Sequence, residues 1–343
     1  MNRNDDGSRK SALRVLLLGA GSLGRAFLRQ AIALEGRAPL QLVGVATGHR
    51  GRRLNPDGLE LAETLSAVES DGLSPDGPND LRKIIEACRP EVIVECIPQN
   101  IRSGEPSLTF MRTALDMGVH VVTANKSAIA LGYRDLRHRA AKAKVSFRFE
   151  STVLDGMPLF LFFSTLPSLD VVRVRGVLNG TSSLVLESVQ LGATRTRGLA
   201  RAQAQGIAEA DSVLDLDGWD AAAKAALLGN VWMSGALRIV DVVREGCDAI
   251  KDEDLKRAGE SVRYRLVSEV VRGSDGGLRA SVKPVAIEPG DPLFSLRGGA
   301  GGISVEVKNG PHITLLQHTH GLDDAAQGLL LDVNAILSGA PQV

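Results

Sequence analysis

Residues 13–18, Leu-Arg-Val-Leu-Leu-Leu, form a short apolar run closed by Gly19, the pattern of a strand buried on both faces of a parallel sheet. Residues 25–34 follow with Ala26, Phe27, Ile32 and Ala33 available for packing, which predicts a helix, and 40–46 predict a second strand. A basic, glycine-containing loop occupies 47–53, and the turn formers of 74–79 mark another loop. Then 81–88 read as helix, 91–97 as strand, 107–117 as a helix stopped by Gly118, and 119–123 as strand. Such alternation of β and α at short spacing predicts a Rossmann-type, doubly wound parallel sheet.

Near Val145 the pattern changes to period two. Residues 145–149 and 171–177 alternate apolar with polar, and 266–271, 278–285 and 303–307 read as further strands. Helical stretches fall at 201–208 and 218–234. One-face-wet alternation predicts a second, α+β domain with a mixed or antiparallel sheet. A final helix over 323–337 is expected to pack back on the first domain. The expected division is residues 1–140 with 316–343 for the first domain, and 141–315 for the second. The first ten residues are polar and read as a frayed start.

Composition narrows the function classes. A chain of 343 residues suits two domains. Forty basic residues balance forty acidic ones, so no global charge draws it to nucleic acid or anionic membrane, and 3% aromatic residues are too few for a base-stacking surface. No apolar run reaches the ~18–20 residues needed to span a bilayer. The short apolar stretch near the start runs into a glycine motif and Arg25, which argues against a signal peptide. Cys88, Cys96 and Cys247 are odd in number and lack zinc spacing, which predicts a reducing, cytoplasmic setting. His312, His318 and His320 have no carboxylate or cysteine at ligand spacing, so they read as loop polar groups.

Gly19-Ala20-Gly21-Ser22-Leu23-Gly24 fits G-x-G-x-x-G at the end of a strand and the mouth of a helix. There the first glycine permits the turn, the second lets a pyrophosphate approach the backbone, and the third lets helix and strand pack closely. An NAD site wants an acid after the second strand. Here Thr47 and Gly48 stand instead, followed by Arg50, Arg52 and Arg53, so the loop favours NADP. Two lysine-bearing segments invite chemistry: Thr123-Ala124-Asn125-Lys126 after a strand, and Asp220 with Lys224 four apart on one helix face.

Several blocks resemble the homoserine dehydrogenase family in its short form without a C-terminal regulatory domain. They are GAGSLG at 19–24, the segment at 103–130 containing TANK, FESTVLDGMP at 149–158, GVLNGTSS at 176–183 and the long block at 202–228. The resemblance implies interconversion of L-homoserine and L-aspartate 4-semialdehyde in threonine and methionine biosynthesis, by a homodimer acting on a small amino-acid substrate. It implies proton transfer by Lys224 with Asp220 as partner and Lys126 assisting. Glu209 and Asp215 would face the substrate's amino end, and Asn179, Gly180 and Thr181 would line substrate and nicotinamide. A Na or K site would fall on Glu150 and the carbonyls of Val153, Asp155 and Met157.

The residue types suit this chemistry. Reducing an aldehyde needs a hydride from the cofactor and a proton at the carbonyl oxygen, and a lysine beside a second cation is expected to have its pKa lowered toward neutrality. Two other readings stay open. Ser183 and Leu184 replace the family's Asn and Tyr after the turn, and segments 151–157 and 319–324 depart from the family's glycine-rich patterns, which would also suit another amino-acid semialdehyde. The second is an NADPH-binding sensor without turnover.

Overall fold

Six strands build the first sheet: β1 (Leu13–Leu18), β2 (Leu40–Ala46), β3 (Arg52–Leu54), β4 (Val92–Glu95), β5 (His120–Thr123) and β6 (Phe147–Arg148), in the order β3-β2-β1-β4-β5-β6. The computed structural model describes residues 12–34, 40–166, 169–208, 212–319 and 321–341. The polar first ten residues, Glu209 and His320 therefore lie outside the described residues. All neighbours in this sheet pair in parallel except β2 and β3. The order reverses between β1 and β4, so a crevice opens there at the carboxyl ends of the strands, where open α/β sheets take their ligands.

The strands are buried on both faces by α1 (Ser22–Ala33), α2 (Leu61–Glu69), α3 (Leu81–Cys88), α4 (Ser107–Asp116) and α5 (Lys126–Ala143). Where β3 lies, the sequence predicts only loop. A change of sheet expected near Val145 comes later, because β6 pairs with β5, Val121 beside Phe147 and Val122 beside Arg148. The apparent alternation there comes from Arg148, which is fully buried and donates to the carbonyl oxygens of Ala340 (2.6 Å) and Pro341 (3.0 Å). A buried arginine imitates a wet face.

After α6 (Leu159–Ser164) the chain enters a second six-stranded sheet: β7 (Val171–Val177), β8 (Val243–Arg244), β9 (Arg263–Arg272), β10 (Leu278–Ile287), β11 (Gly301–Val307) and β12 (His312–Gln317). Its order is β12-β11-β7-β9-β10-β8, antiparallel except for the β8–β10 pair. The helices of this half are α7 (Gly180–Gln190), α8 (Arg195–Ala204), α9 (Val213–Leu216), α10 (Trp219–Trp232) and α11 (Asp252–Ala258). α10 packs on the sheet face carrying Leu266, Val270, Ala280 and Val282. Finally α12 (Leu322–Leu337) returns to the first sheet and packs Ala326, Leu329, Leu330 and Val333 into the core that holds Phe27 and Leu28 of α1.

Candidate active site

The glycine turn sits at the crevice. Gly19 has a φ of 91°, and a Cβ there would lie 2.6 Å from the Cys96 carbonyl oxygen. A Cβ on Gly24 would lie 2.2 Å from the Gly19 oxygen, whereas one on Gly21 would meet nothing within 4 Å. α1 starts at Ser22 with no side chain capping its first amides and no acid in its first turn. Open space above Gly21 and uncapped N–H groups beneath it fit a pyrophosphate. Leu23 turns inward to the core, and Ser22 is exposed. Gly24→Ala is therefore expected to destabilise the turn. Gly21→Ala, at a φ of −74° that alanine tolerates, is expected to keep its melting temperature and lose dinucleotide affinity, read by fluorescence titration.

The basic loop after β2 resolves into separate roles. Thr47 closes its own turn, its hydroxyl donating to the Gly51 carbonyl and accepting from the Arg50 amide, both at 2.9 Å. Arg52 is buried, and its guanidinium donates to the carbonyls of Gly77 and Pro78 and to the Asn79 side-chain oxygen. It therefore pins the 77–79 loop and is not available to a phosphate, which corrects the equal weight given to the three arginines. Arg53 pairs with Glu63 at 3.1 Å, and Arg50 pairs with Asp71 at 3.3 Å, both on the surface.

At the same edge of the sheet, β5 runs into Asn125, whose side chain accepts from the Ala128 amide (3.1 Å) and so caps α5. Lys126 is the first residue of that helix, and its Nζ lies 3.0 Å from Asp220 Oδ1. Asp220 and Lys224 share the buried face of α10, with Lys224 Nζ 3.3 Å from Asp220 Oδ2. Lys224 also donates to the Leu178 carbonyl at 2.5 Å. Asn179 caps α7 through its oxygen, accepting from Ser182 N, while its Nδ2 donates to Asp215 (2.8 Å) and Asp220 (3.2 Å). Thr181 hydrogen-bonds Asp215 as well, and Gly180 packs against the Gly299 backbone.

One carboxylate thus bridges two ammonium groups in a site where Asp220 and Lys224 are each only 7% exposed. Burial alone would raise the Asp220 carboxyl, but Lys126 and Lys224 outweigh it and hold it well below the usual carboxylate range. Burial would lower the Lys126 ammonium, but Asp220 outweighs that and raises it. The expectation of a lowered lysine pKa is corrected for Lys126, because the second cation is screened from it by a shared anion. Asp215 is raised, first by burial and then by the negative charge of Asp220.

The residues expected to hold a cation are also engaged within the fold. Both carboxylate oxygens of Glu150 accept backbone amides of α6, Phe160 N at 2.9 Å and Leu161 N. The Met157 carbonyl accepts from Leu159 N at 2.7 Å, and the Asp155 carbonyl faces Gly328 of α12 so closely that a Cβ there would sit 2.5 Å away. Val153 is buried in the core. Among the described residues, no cluster of three His, Cys, Asp or Glu side chains suits a metal ion. The histidine reading stands differently, since His312 Nε2 lies 2.5 Å from the Ser304 hydroxyl on β11. The thiols are suppressed as nucleophiles: burial pushes Cys88 up to about 11 and Cys247 up to about 12.

Sequence reading missed two parts of this site. One is α7, whose Asn179-Gly180 start reads as a simple turn. The other is Glu95, a buried acid ending the otherwise apolar β4, where an acid in a strand covered on both faces was the available signal.

Residues 161–333 match the family described as homoserine dehydrogenase, and 19–150 match the description "Homoserine dehydrogenase, NAD binding domain". A homoserine dehydrogenase of Sulfurisphaera tokodaii is 32% identical over 83% of this chain and 86% of its own. The chain belongs to the homoserine dehydrogenase family. An NAD(+)-dependent homoserine dehydrogenase of Pseudomonas canavaninivorans is 31% identical, covering 93% of this chain and 95% of that one. Among solved structures, the homoserine dehydrogenase of Thermoplasma acidophilum superposes with a TM-score of 0.82 at 26% identity, over 96% of this chain and 100% of its own. A hyperthermophilic archaeal homoserine dehydrogenase mutant in complex with NADPH has a TM-score of 0.80 at 25% identity, over 97% of this chain and 99% of its own. The homoserine dehydrogenase match at 161–333 contains the Lys224–Asp220 pair and the Asn179 turn, and the match at 19–150 contains the glycine turn and Lys126.

Proposed function

We propose that this member of the family interconverts L-homoserine and L-aspartate 4-semialdehyde in the cytoplasm, in the service of threonine and methionine synthesis, with NADP preferred over NAD. The observation that carries the reading is the Lys126–Asp220–Lys224 cluster at the carboxyl edge of the first sheet, beside the glycine turn. The nicotinamide supplies and accepts hydride. Lys224 Nζ gives its proton to the substrate oxygen as the aldehyde is reduced, and takes it back in the reverse direction. The Leu178 carbonyl aims that ammonium, and Lys126 keeps a positive charge beside the Asp220 carboxylate when Lys224 is neutral. Asp215, with Glu209, draws the substrate's ammonium group, and Asn179 fixes the relative positions of Asp215 and Asp220.

Two halves divide the work: the first sheet with α12 holds the cofactor, and the second carries the chemistry and a homodimer contact. Support for the dimer is the sheet face opposite α10, which presents Arg173, Glu269, Ser304, Glu306 and Thr314. No described helix is long and apolar enough to cross a membrane.

The test is NADPH oxidation with aspartate 4-semialdehyde, run beside NADH. Binding without oxidation of either cofactor would overturn the assignment. Cofactor choice is assigned to Arg50, which adjoins the end of β2 and gives up only a surface ion pair, worth about 0–1 kcal/mol, to reach a 2′-phosphate. Arg50→Ala is expected to lower kcat/KM for NADPH by about 10–100-fold, the worth of a charge-assisted contact, and to leave NADH unchanged. Arg52→Ala is expected to lower the melting temperature instead.

A pH dependence follows from Asp215. Because its carboxyl is raised, it takes up a proton at a higher pH than an ordinary aspartate and loses its attraction for an ammonium there. KM for homoserine is expected to rise as pH falls through that point. Asp215→Asn is expected to show a high KM with no acidic limb, measured in the oxidation direction.

A further inference from the structure

We propose that Glu95 is a positioning residue for the reaction, holding Asn125 from beneath and through it setting Lys126 at the active site. The inference rests on the reading of Lys126 as a participant in turnover. Glu95 is 1% exposed at the end of β4 and touches neither lysine. Its Oε1 accepts from the Ser107 hydroxyl at 2.8 Å and from Ile97 N at 3.0 Å, and its Oε2 accepts from the Thr123 hydroxyl.

Both hydroxyls are in turn held by Asn125. The Asn125 backbone N–H donates to Thr123 Oγ1 at 3.0 Å, and its side-chain Nδ2 donates to Ser107 Oγ at 2.9 Å. A hydroxyl has one proton, so a hydroxyl that accepts from Asn125 sends that proton onward. Two relays therefore converge on one carboxylate, and both begin at the residue preceding Lys126. Burial raises the Glu95 carboxyl, and the Thr123 and Ser107 hydroxyls oppose it. The arrangement asks for a group that only accepts. A carboxylate meets that demand and a carboxamide does not, since its NH2 would face a hydroxyl already committed as a donor. The same network tethers the crevice, because Asn125 Nδ2 also reaches the Ile97 carbonyl at 3.4 Å, next to the Cys96 carbonyl that walls Gly19.

Fixing both the backbone and the side chain of Asn125 sets the first turn of α5 and hence the direction in which Lys126 leaves it. A buried acid with a merely structural role would lower stability and affect every function in proportion. A positioning acid acts on turnover through one residue.

The experiment is a double-mutant cycle between Glu95→Gln and Lys126→Ala, with kcat, KM for NADPH and melting temperature read for each variant. Glu95→Gln is expected to lower kcat about 10–100-fold with KM for NADPH within about twofold, the range in which lost orientation acts. In the Lys126→Ala background the same change is expected to lower kcat by less than about twofold. An equal loss in both backgrounds, or no loss in either, overturns the proposal. Should Lys126→Ala alone leave kcat intact, the reading of Lys126 fails, and the single variant reveals it before the cycle is closed. If Glu95→Gln does not fold, Ser107→Ala cuts one relay only. It is then expected to show a smaller kcat loss that likewise vanishes without Lys126, and a loss that persists there overturns the proposal.

Discussion

Lys224→Ala is expected to lower turnover about 10²–10⁴-fold, the span that a positioned acid or base contributes, while leaving NADPH affinity within a few-fold. Lys224 sits on α10 whereas the glycine turn opens α1, so the substitution leaves the pyrophosphate-binding turn itself intact. Its Nζ is fixed from two sides, by Asp220 and by the Leu178 carbonyl. Alanine removes the proton and the charge together. Lys224→Arg separates them, since a guanidinium keeps the charge but does not release a proton at accessible pH. If Lys224 is the proton donor, arginine is nearly as inactive as alanine. If it only stabilises negative charge on the substrate oxygen, arginine recovers much of the rate. Absorbance decay of NADPH with aspartate 4-semialdehyde, beside a fluorescence titration of NADPH binding, reads both quantities.

The local parts of this site were legible in the sequence, and the non-local parts were not. β2, α3 and β7 fall where their patterns predict, β2 as an apolar run, α3 as an amphipathic helix burying Leu81, Ile84, Ile85 and Cys88, and β7 as an alternating strand. Asp220 and Lys224 could be paired from helical spacing alone. The approach of Lys126 to the same carboxylate could not, because it depends on how α5 meets α10. That contact also reversed the expected direction for the Lys126 ammonium. α7 was invisible because nearly all of its residues are buried, leaving no polar face to give it a 3.6-residue period. Arg50, Arg52 and Arg53 look alike in sequence, and only the 77–79 loop folding over Arg52 separates a structural guanidinium from its neighbours.

Asp220→Asn is expected to damage stability and turnover together, and the pH dependence of the stability loss identifies its cause. Removing one partner from a buried charge cluster leaves the others uncompensated, at a cost of about 3–5 kcal/mol. Here two ammonium groups lose their shared anion, and the Asn125–Lys126 turn faces Lys224 with no charge between them. A drop in melting temperature of several degrees follows at neutral pH. With Asp220 gone, burial acts on Lys126 against only the weaker pull of Asp155 and Asp215, and its folded pKa is expected to fall below the unfolded value. The unfolded chain then binds more protons than the folded one across the alkaline range, so stability of the variant rises with pH relative to the native chain. Thermal melts between pH 7 and 10 are expected to converge for the two proteins. A gap that stays constant over that range would assign the loss to packing and hydrogen bonds to Asn179 instead of to the lysines. Turnover is not expected to return with stability, because the variant still lacks the carboxylate that holds Lys224 Nζ in place.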